Sequence, residues 1–196
     1  MKTYEIELPE GYREAKTVDA QNKKLGLLLN LAALAPLLLI GGAVFFILGP
    51  ARILESAAEA ENFFLHLLVF MGAMIAYIIL HELVHGVIYK ALTGRKLKFG
   101  LTLTVAYCGV PDIYVYRRTA LLALAGPLVV FIPVFALPAF LLPLPADQML
   151  AALLLGLHLG GCSGDLYDLW LYAFRFKAPE TLMRDTGPKQ VFYVKD

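Results

Sequence analysis

The chain has 196 residues, of which 59% are hydrophobic and only 17% charged, with a mean hydropathy of +0.68 and a formal net charge of +1. That balance excludes an ordinary water-soluble domain and places the chain among polytopic membrane proteins, while the near-neutral charge gives no basis for a nucleic-acid partner. Two cysteines, Cys108 and Cys162, do not make a disulfide framework, and the length suits a single membrane-embedded domain, residues 1–196.

Residues 1–24 are charged. Tyr4, Ile6 and Leu8 alternate with Glu5 and Glu7 before Pro9-Glu10-Gly11, which predicts a short strand, a turn and then an irregular basic stretch. No cleavable signal peptide is expected, because the first apolar run starts only after this segment and is itself long enough to span a bilayer. That run, 25–48, reads as a transmembrane helix, and Gly49-Pro50 ends it. Arg52 to Asn62 reads as a connection to a second span, 63–89.

The second span carries His81-Glu82-Leu83-Val84-His85, an HExxH sequence. Two histidines four apart on a helix lie on one face, so both imidazoles can reach a single zinc ion. Glu82 falls between them, where a carboxylate can approach a metal-bound water without ligating the metal. Apart from His66, the rest of the span has no strongly polar residue, and ionisable groups at such depth are read as functional.

Beyond this span, Leu97, Phe99, Leu101, Leu103, Val105 and Tyr107 alternate with smaller or polar residues, a period of two that predicts a strand. Gly109-Val110-Pro111-Asp112 supplies a turn, and Ile113 to Tyr116 reads as the returning strand of a hairpin over 97–116. A third span, 119–142, is rich in proline, and a fourth covers 148–172, followed by a tail, 173–196. In the tail, Arg184-Asp185 before Gly187-Pro188 reads as a turn, and Val191 to Val194 as a strand suited to pair with Tyr4 to Leu8. The expected fold is therefore an all-α membrane protein of about four transmembrane helices, with a small β-hairpin between helices two and three.

Loop charges set the orientation. Lysine and arginine number five before the first span, one between the first two, six between the second and third, none between the third and fourth, and five after the last. By the positive-inside rule both termini and the hairpin face the cytoplasm. His81 precedes Lys90 by nine residues and Asp165 precedes Arg175 by ten, so at 1.5 Å per residue both lie roughly 13–15 Å inside the cytoplasmic ends of their helices. Matching depth nominates Asp165 as a third metal ligand. His158, Cys162 and Asp165 share a face of the fourth span and all are zinc ligands by residue type; Asp165 is favoured because an ionised carboxylate at that depth most needs a cation, with His158 the next candidate. Asp168, one turn nearer water, is placed to orient a ligand histidine. Gly156, Gly160 and Gly164 form a stripe that lets helix backbones approach closely.

His81-Glu82-Leu83-Val84-His85-Gly86, Ala125-Gly126-Pro127 and Gly161-Cys162-Ser163-Gly164-Asp165, in that order and separated by a hairpin, resemble the intramembrane zinc metalloproteases of the site-2 protease class. More closely, the whole chain resembles a small bacterial family described as putative zincin peptidases, whose Leu-Pro-Glu-Gly-Tyr-like N-terminus leads into such a core. The resemblance implies zinc held by His81, His85 and Asp165, Glu82 as catalytic acid and base, a bacterial cell membrane as location, and a membrane protein or peptide as substrate, cut near the cytoplasmic side. The alternative is a membrane protein that keeps the fold as a binding or chaperoning module without catalysis.

Overall fold

The apolar runs form helices, because a chain in hydrocarbon must satisfy its own backbone groups and the helix does so within one segment. In the computed structural model, which describes residues 2–61, 63–102 and 106–196, the first run is α1 (Lys23–Leu48). Asn22 caps it, its Oδ1 accepting the N–H groups of Lys24 at 3.1 Å and Leu25 at 3.2 Å. Only 6% of its most apolar window is buried within the protein, so the helix presents apolar side chains outward on nearly every side. The connection that follows is itself a helix, α2 (Pro50–Glu59), started by proline in its first turn after Gly49 at φ 84°.

α3 (Phe63–Thr93) is the longest of the described elements, with 31 residues, and carries the HExxH sequence in its C-terminal half. It stops where Gly94 takes φ 66° and returns its N–H to the Lys90 carbonyl at 2.9 Å. The Lys90 ammonium reaches over this end to the carbonyls of Gly94 (3.0 Å) and Arg95 (3.2 Å), a cation at the negative end of the helix dipole. α4 (Arg117–Leu141) runs unbroken through its prolines. The predicted fourth span is instead two helices, α5 (Pro145–Gly161) and α6 (Ser163–Phe174). The break falls at Cys162, just after Gly160-Gly161, where two residues without side chains weaken the helix. Among the described residues, three helices, α1, α3 and α4, are long and apolar enough to cross a membrane, or four spans result if the broken pair counts as one.

The strands depart from the sequence reading. The hairpin joins β3 (Lys98–Leu101) to β4 (Ala106–Gly109), so the alternating stretch reverses direction instead of running straight to Tyr107; Leu103 and Val105 lie outside the described residues. The segment read as its returning strand, β5 (Tyr114–Tyr116), belongs to a separate five-stranded antiparallel sheet. That sheet has the order β1-β5-β6-β7-β2, with β1 at Tyr4–Glu5, β2 at Tyr12–Asp19, β6 at Leu182–Asp185 and β7 at Lys189–Lys195. The tail strand β7 pairs with β2 and β6, and Tyr4 pairs with Val115 instead of the tail. The basic stretch read as irregular is thus an edge strand, whose charged side chains and irregularity between Glu14 and Lys16 suit an exposed sheet edge.

The chain divides into two compact units, one formed by Met1–Leu28, Ile79–Pro127 and Gly164–Asp196, the other by Leu29–Ile78 and Leu128–Ser163. In the first, register aligns Val115, Met183 and Phe192 across three neighbouring strands. All three are fully buried, and they share a core with Tyr89 of α3, Ala120, Ala123 and Leu124 of α4, and Leu171 and Tyr172 of α6. The sheet therefore packs one face on the ends of these helices. In the second unit α5 meets α1 without intervening side chains: a Cβ at Gly156 would lie 2.8 Å from the Leu37 Cα, and one at Gly160 2.3 Å from the Ala33 carbonyl oxygen. Gly164, the third glycine of the stripe, has open space around it and takes no part in close packing.

Candidate metal centre

Residues 81 and 85 come together because α3 continues without distortion through both. Their side chains lie one turn apart on a buried face, 7% and 6% exposed, and their Nε2 atoms stand 3.2 Å from each other. Asp165, in the first turn of α6, completes a triangle: its Oδ2 is 3.4 Å from the His81 Nε2 and 3.5 Å from the His85 Nε2.

Neighbouring elements fix this arrangement. The His85 Nδ1 lies 2.9 Å from the Ala123 carbonyl on α4, and since a carbonyl only accepts, Nδ1 is the donor. In the neutral ring that bond leaves Nε2 as a bare lone pair pointing at the other two donors. α4 reaches His85 because Gly126 permits it: a Cβ there would stand 2.2 Å from the Ile88 Cδ1 and 3.2 Å from the Val84 Cγ1. Gly86 has a similar role toward the hairpin, where a Cβ would meet the Phe99 Cζ at 2.7 Å and the Leu97 Cδ1 at 3.1 Å. The side chains of Leu97 and Phe99 consequently lie against the helix backbone directly after His85. Glu82 sits between the histidines in sequence and is half-buried.

The donor set fits zinc. A tetrahedral ion bound about 2.05 Å from nitrogen and oxygen ligands spaces those ligands about 3.3 Å apart. The three separations, 3.2, 3.4 and 3.5 Å, bracket that value. The His85 lone pair and the Asp165 carboxylate are both electron-pair donors, and a cation between them removes the repulsion. Two histidines and one carboxylate leave a fourth position for water or substrate, the ligand pattern of a catalytic site.

His158, the other candidate from the sequence, belongs to the second unit, where it is fully buried. There its Nδ1 shares a hydrogen bond with the Tyr77 hydroxyl at 2.9 Å, and the rings of Tyr77, Phe131 and Phe135 surround it. His66 pairs with Asp147 at 2.8 Å in the same unit. The role foreseen for Asp168 does not hold for His85, whose Nδ1 is already taken by Ala123; Asp168 is instead buried, with no hydrogen-bond partner for Oδ1 among the described residues.

Two further residues near the centre went unnoticed in the sequence. Tyr89 continues the stripe of residues 81 and 85 by one more turn, and its hydroxyl donates to the Asp185 Oδ2 at 2.7 Å. Asp185 ends β6 and is buried 3% exposed; burial raises its carboxyl to about 6, against the lowering effect of the Tyr89 hydroxyl and the Gly187 N–H. The four-residue spacing of Tyr89 was a usable signal. For Asp185 there was none beyond its place in a turn.

A family model described as putative zincin peptidase matches residues 74–180, more than half of the chain and including both histidines, Glu82 and Asp165. No curated protein and no solved structure matches.

Proposed function

The chain belongs to the putative zincin peptidase family, and on that premise we propose that it is a membrane-embedded zinc metallopeptidase that hydrolyses a peptide bond of a membrane protein or peptide near the cytoplasmic side. The observation that carries this reading is the triangle of the His81 Nε2, His85 Nε2 and Asp165 Oδ2 atoms, 3.2 to 3.5 Å on a side, which would hold the ion. Zinc in such an open site acidifies a water ligand toward a pKa of about 7 and polarises a carbonyl.

The chain's own part in the chemistry falls to Glu82. As the water oxygen bonds to the peptide carbonyl carbon, the Glu82 carboxylate takes the proton released; as the C–N bond breaks, it returns that proton to the leaving amine. The Ala123 carbonyl keeps the His85 ring from turning, so that the ligand lone pair stays aimed at the site.

Substrate presentation follows from the hairpin. A peptide bond inside a membrane helix is hidden by intrahelical hydrogen bonds, so the segment must unwind, and each unpaired backbone group in hydrocarbon costs several kcal/mol. β3, whose Phe99 side chain reaches Gly86 and whose Leu101 is exposed, offers a strand to which an unwound segment adds by main-chain pairing. The loop charges and the three or four apolar helices favour a membrane location with both termini and the sheet on the cytoplasmic face.

The test is hydrolysis of unwound, helix-weak transmembrane peptides by the purified protein in detergent or vesicles. Glu82→Gln is expected to abolish cleavage while zinc stays bound. Cleavage at the natural rate in Glu82→Gln would remove the glutamate from the mechanism, and a natural protein that binds zinc yet cuts no such peptide would favour the binding-module alternative.

A further inference from the structure

Both ligand-bearing helices continue past the metal donors with polar residues on the same face. On α3 the stripe is His81, His85, Tyr89; on α6 it is Asp165, Asp168, Tyr172, at spacings of three and four. Tyr89, Asp168 and Tyr172 are all buried, and so is Asp185, which comes from the tail strand β6 outside the family-matched segment. Asp185 is hydrogen-bonded to Tyr89, and it lies within electrostatic range of both Asp168 and Tyr172. Two atoms on the α6 side lack a partner among the described residues: the Asp168 Oδ1 and the Tyr172 hydroxyl.

Asp185 is itself rigidly held. Its Oδ1 accepts the Gly187 N–H at 2.9 Å and its carbonyl accepts the Val110 N–H at 2.9 Å. Gly187, at φ 100°, and Gly109 are in backbone contact so close that a Cβ on Gly109 would stand 2.4 Å from the Gly187 nitrogen. The tail turn is thereby bolted to the hairpin that lies over the metal-binding turn of α3.

We propose that Asp185 is a positioning residue for the metal centre, tying α3 through the Tyr89 hydroxyl and α6 through buried water shared with the Tyr172 hydroxyl and the Asp168 Oδ1, so that the ligands on the two helices keep their separation. Buried polar atoms without protein partners are the usual seats of structural water, which makes about three hydrogen bonds in such a place. Side chains that hold metal ligands from behind typically control metal affinity by roughly 10- to 100-fold. The inference rests on the reading of His81, His85 and Asp165 as zinc ligands.

The test is zinc affinity by chelator competition on the full-length protein, with the visible spectrum of the cobalt-substituted form as a report of ligand geometry. Tyr89→Phe removes only one hydroxyl. It is expected to weaken zinc binding roughly 10-fold and to shift the cobalt bands; Asp185→Ala should do at least as much alone and less than its own effect on top of Tyr89→Phe, whereas Asp185→Asn, which keeps an acceptor for the Tyr89 hydroxyl, should stay close to the natural protein in both readouts. Natural affinity and an unchanged cobalt spectrum in folded Tyr89→Phe would overturn the proposal. Radiolytic hydroxyl-radical labelling tests the water separately: Tyr172 should be oxidised although fully buried, whereas equally buried Phe192 should not. Tyr172 labelled no more than Phe192 would also overturn it. If the natural protein binds neither zinc nor cobalt, the metallopeptidase reading fails, and the labelling of Tyr172 still decides whether the water-bridged lock exists.

Discussion

The glycine stripe on α5 and α6 gives a prediction with opposite signs from one motif. Replacing Gly160 by alanine puts a Cβ 2.3 Å from the Ala33 carbonyl oxygen and 3.1 Å from its carbonyl carbon, both backbone atoms of α1 that no rotamer change can move aside. To restore ordinary contact near 3.5 Å, α1 and α5 must separate by about 1 Å, which also loosens the Gly156–Leu37 and Gly41–Leu153 contacts along the same seam. Overpacking of this kind costs about 1–3 kcal/mol, and the rigid partner argues for the upper part of that range. Gly164→Ala meets nothing within 4 Å and trades a poor helix former for the best one, a gain of up to about 1 kcal/mol. Unfolding of both variants in the same detergent, followed by circular dichroism or by the fluorescence of Trp170, should give a lower midpoint for Gly160→Ala and an equal or higher one for Gly164→Ala. Equal destabilisation by both, or an unaltered Gly160→Ala, would refute the assignment of the α1–α5 seam.

Removing metal should destabilise the protein, because an ion bound only by the folded state stabilises it by about 4 kcal/mol at a thousand times its dissociation constant; unfolding with and without a strong zinc chelator checks this. Asp185 predicts a pH dependence. Its carboxyl titrates at about 6 in the fold against 3.8 for the free group, so the folded state holds this proton to higher pH than the unfolded state does. The contribution of this group to stability therefore falls as pH rises from about 4 to about 6, by about 3 kcal/mol, and does not change outside that window. Asp185→Asn should remove that slope; a natural protein and variant with parallel stability profiles across the window would contradict it. Asn22→Ala, which deprives Lys24 and Leu25 of their acceptor, should cost about 1 kcal/mol and lower the midpoint without affecting zinc binding.

The long helices were legible because their signal is local: apolar runs, and a glycine at the end of α3; α2 was not, because Pro50 was read as the end of the first span and the short, charged stretch after it as a connection. The HExxH spacing was also readable, since it depends only on helix rise, and Asp165 could be nominated by counting residues to the flanking charges; the structure brings the three donor atoms within 3.5 Å of one another. The five-stranded sheet was not readable. β1 has two residues and β5 three, too short for a periodic pattern, and their partners come from the opposite end of the chain. β2 is an edge strand whose charged residues mimic a loop, and its pairing with β7 depends on contacts that no local rule expresses. The break at Cys162 was hidden for the opposite reason, because Gly156, Gly160 and Gly164 form a pattern that a straight helix would also show. Asp185 became visible as part of the centre only once the tail strand was placed against Tyr89.

The most direct test of the central claim is zinc content per chain in the purified protein, compared between the natural sequence, His81→Ala and Asp165→Ala. The account predicts about one zinc in the first and a clear loss in both variants. Zinc retained undiminished in Asp165→Ala, or no metal in a natural protein prepared with zinc present, would contradict it.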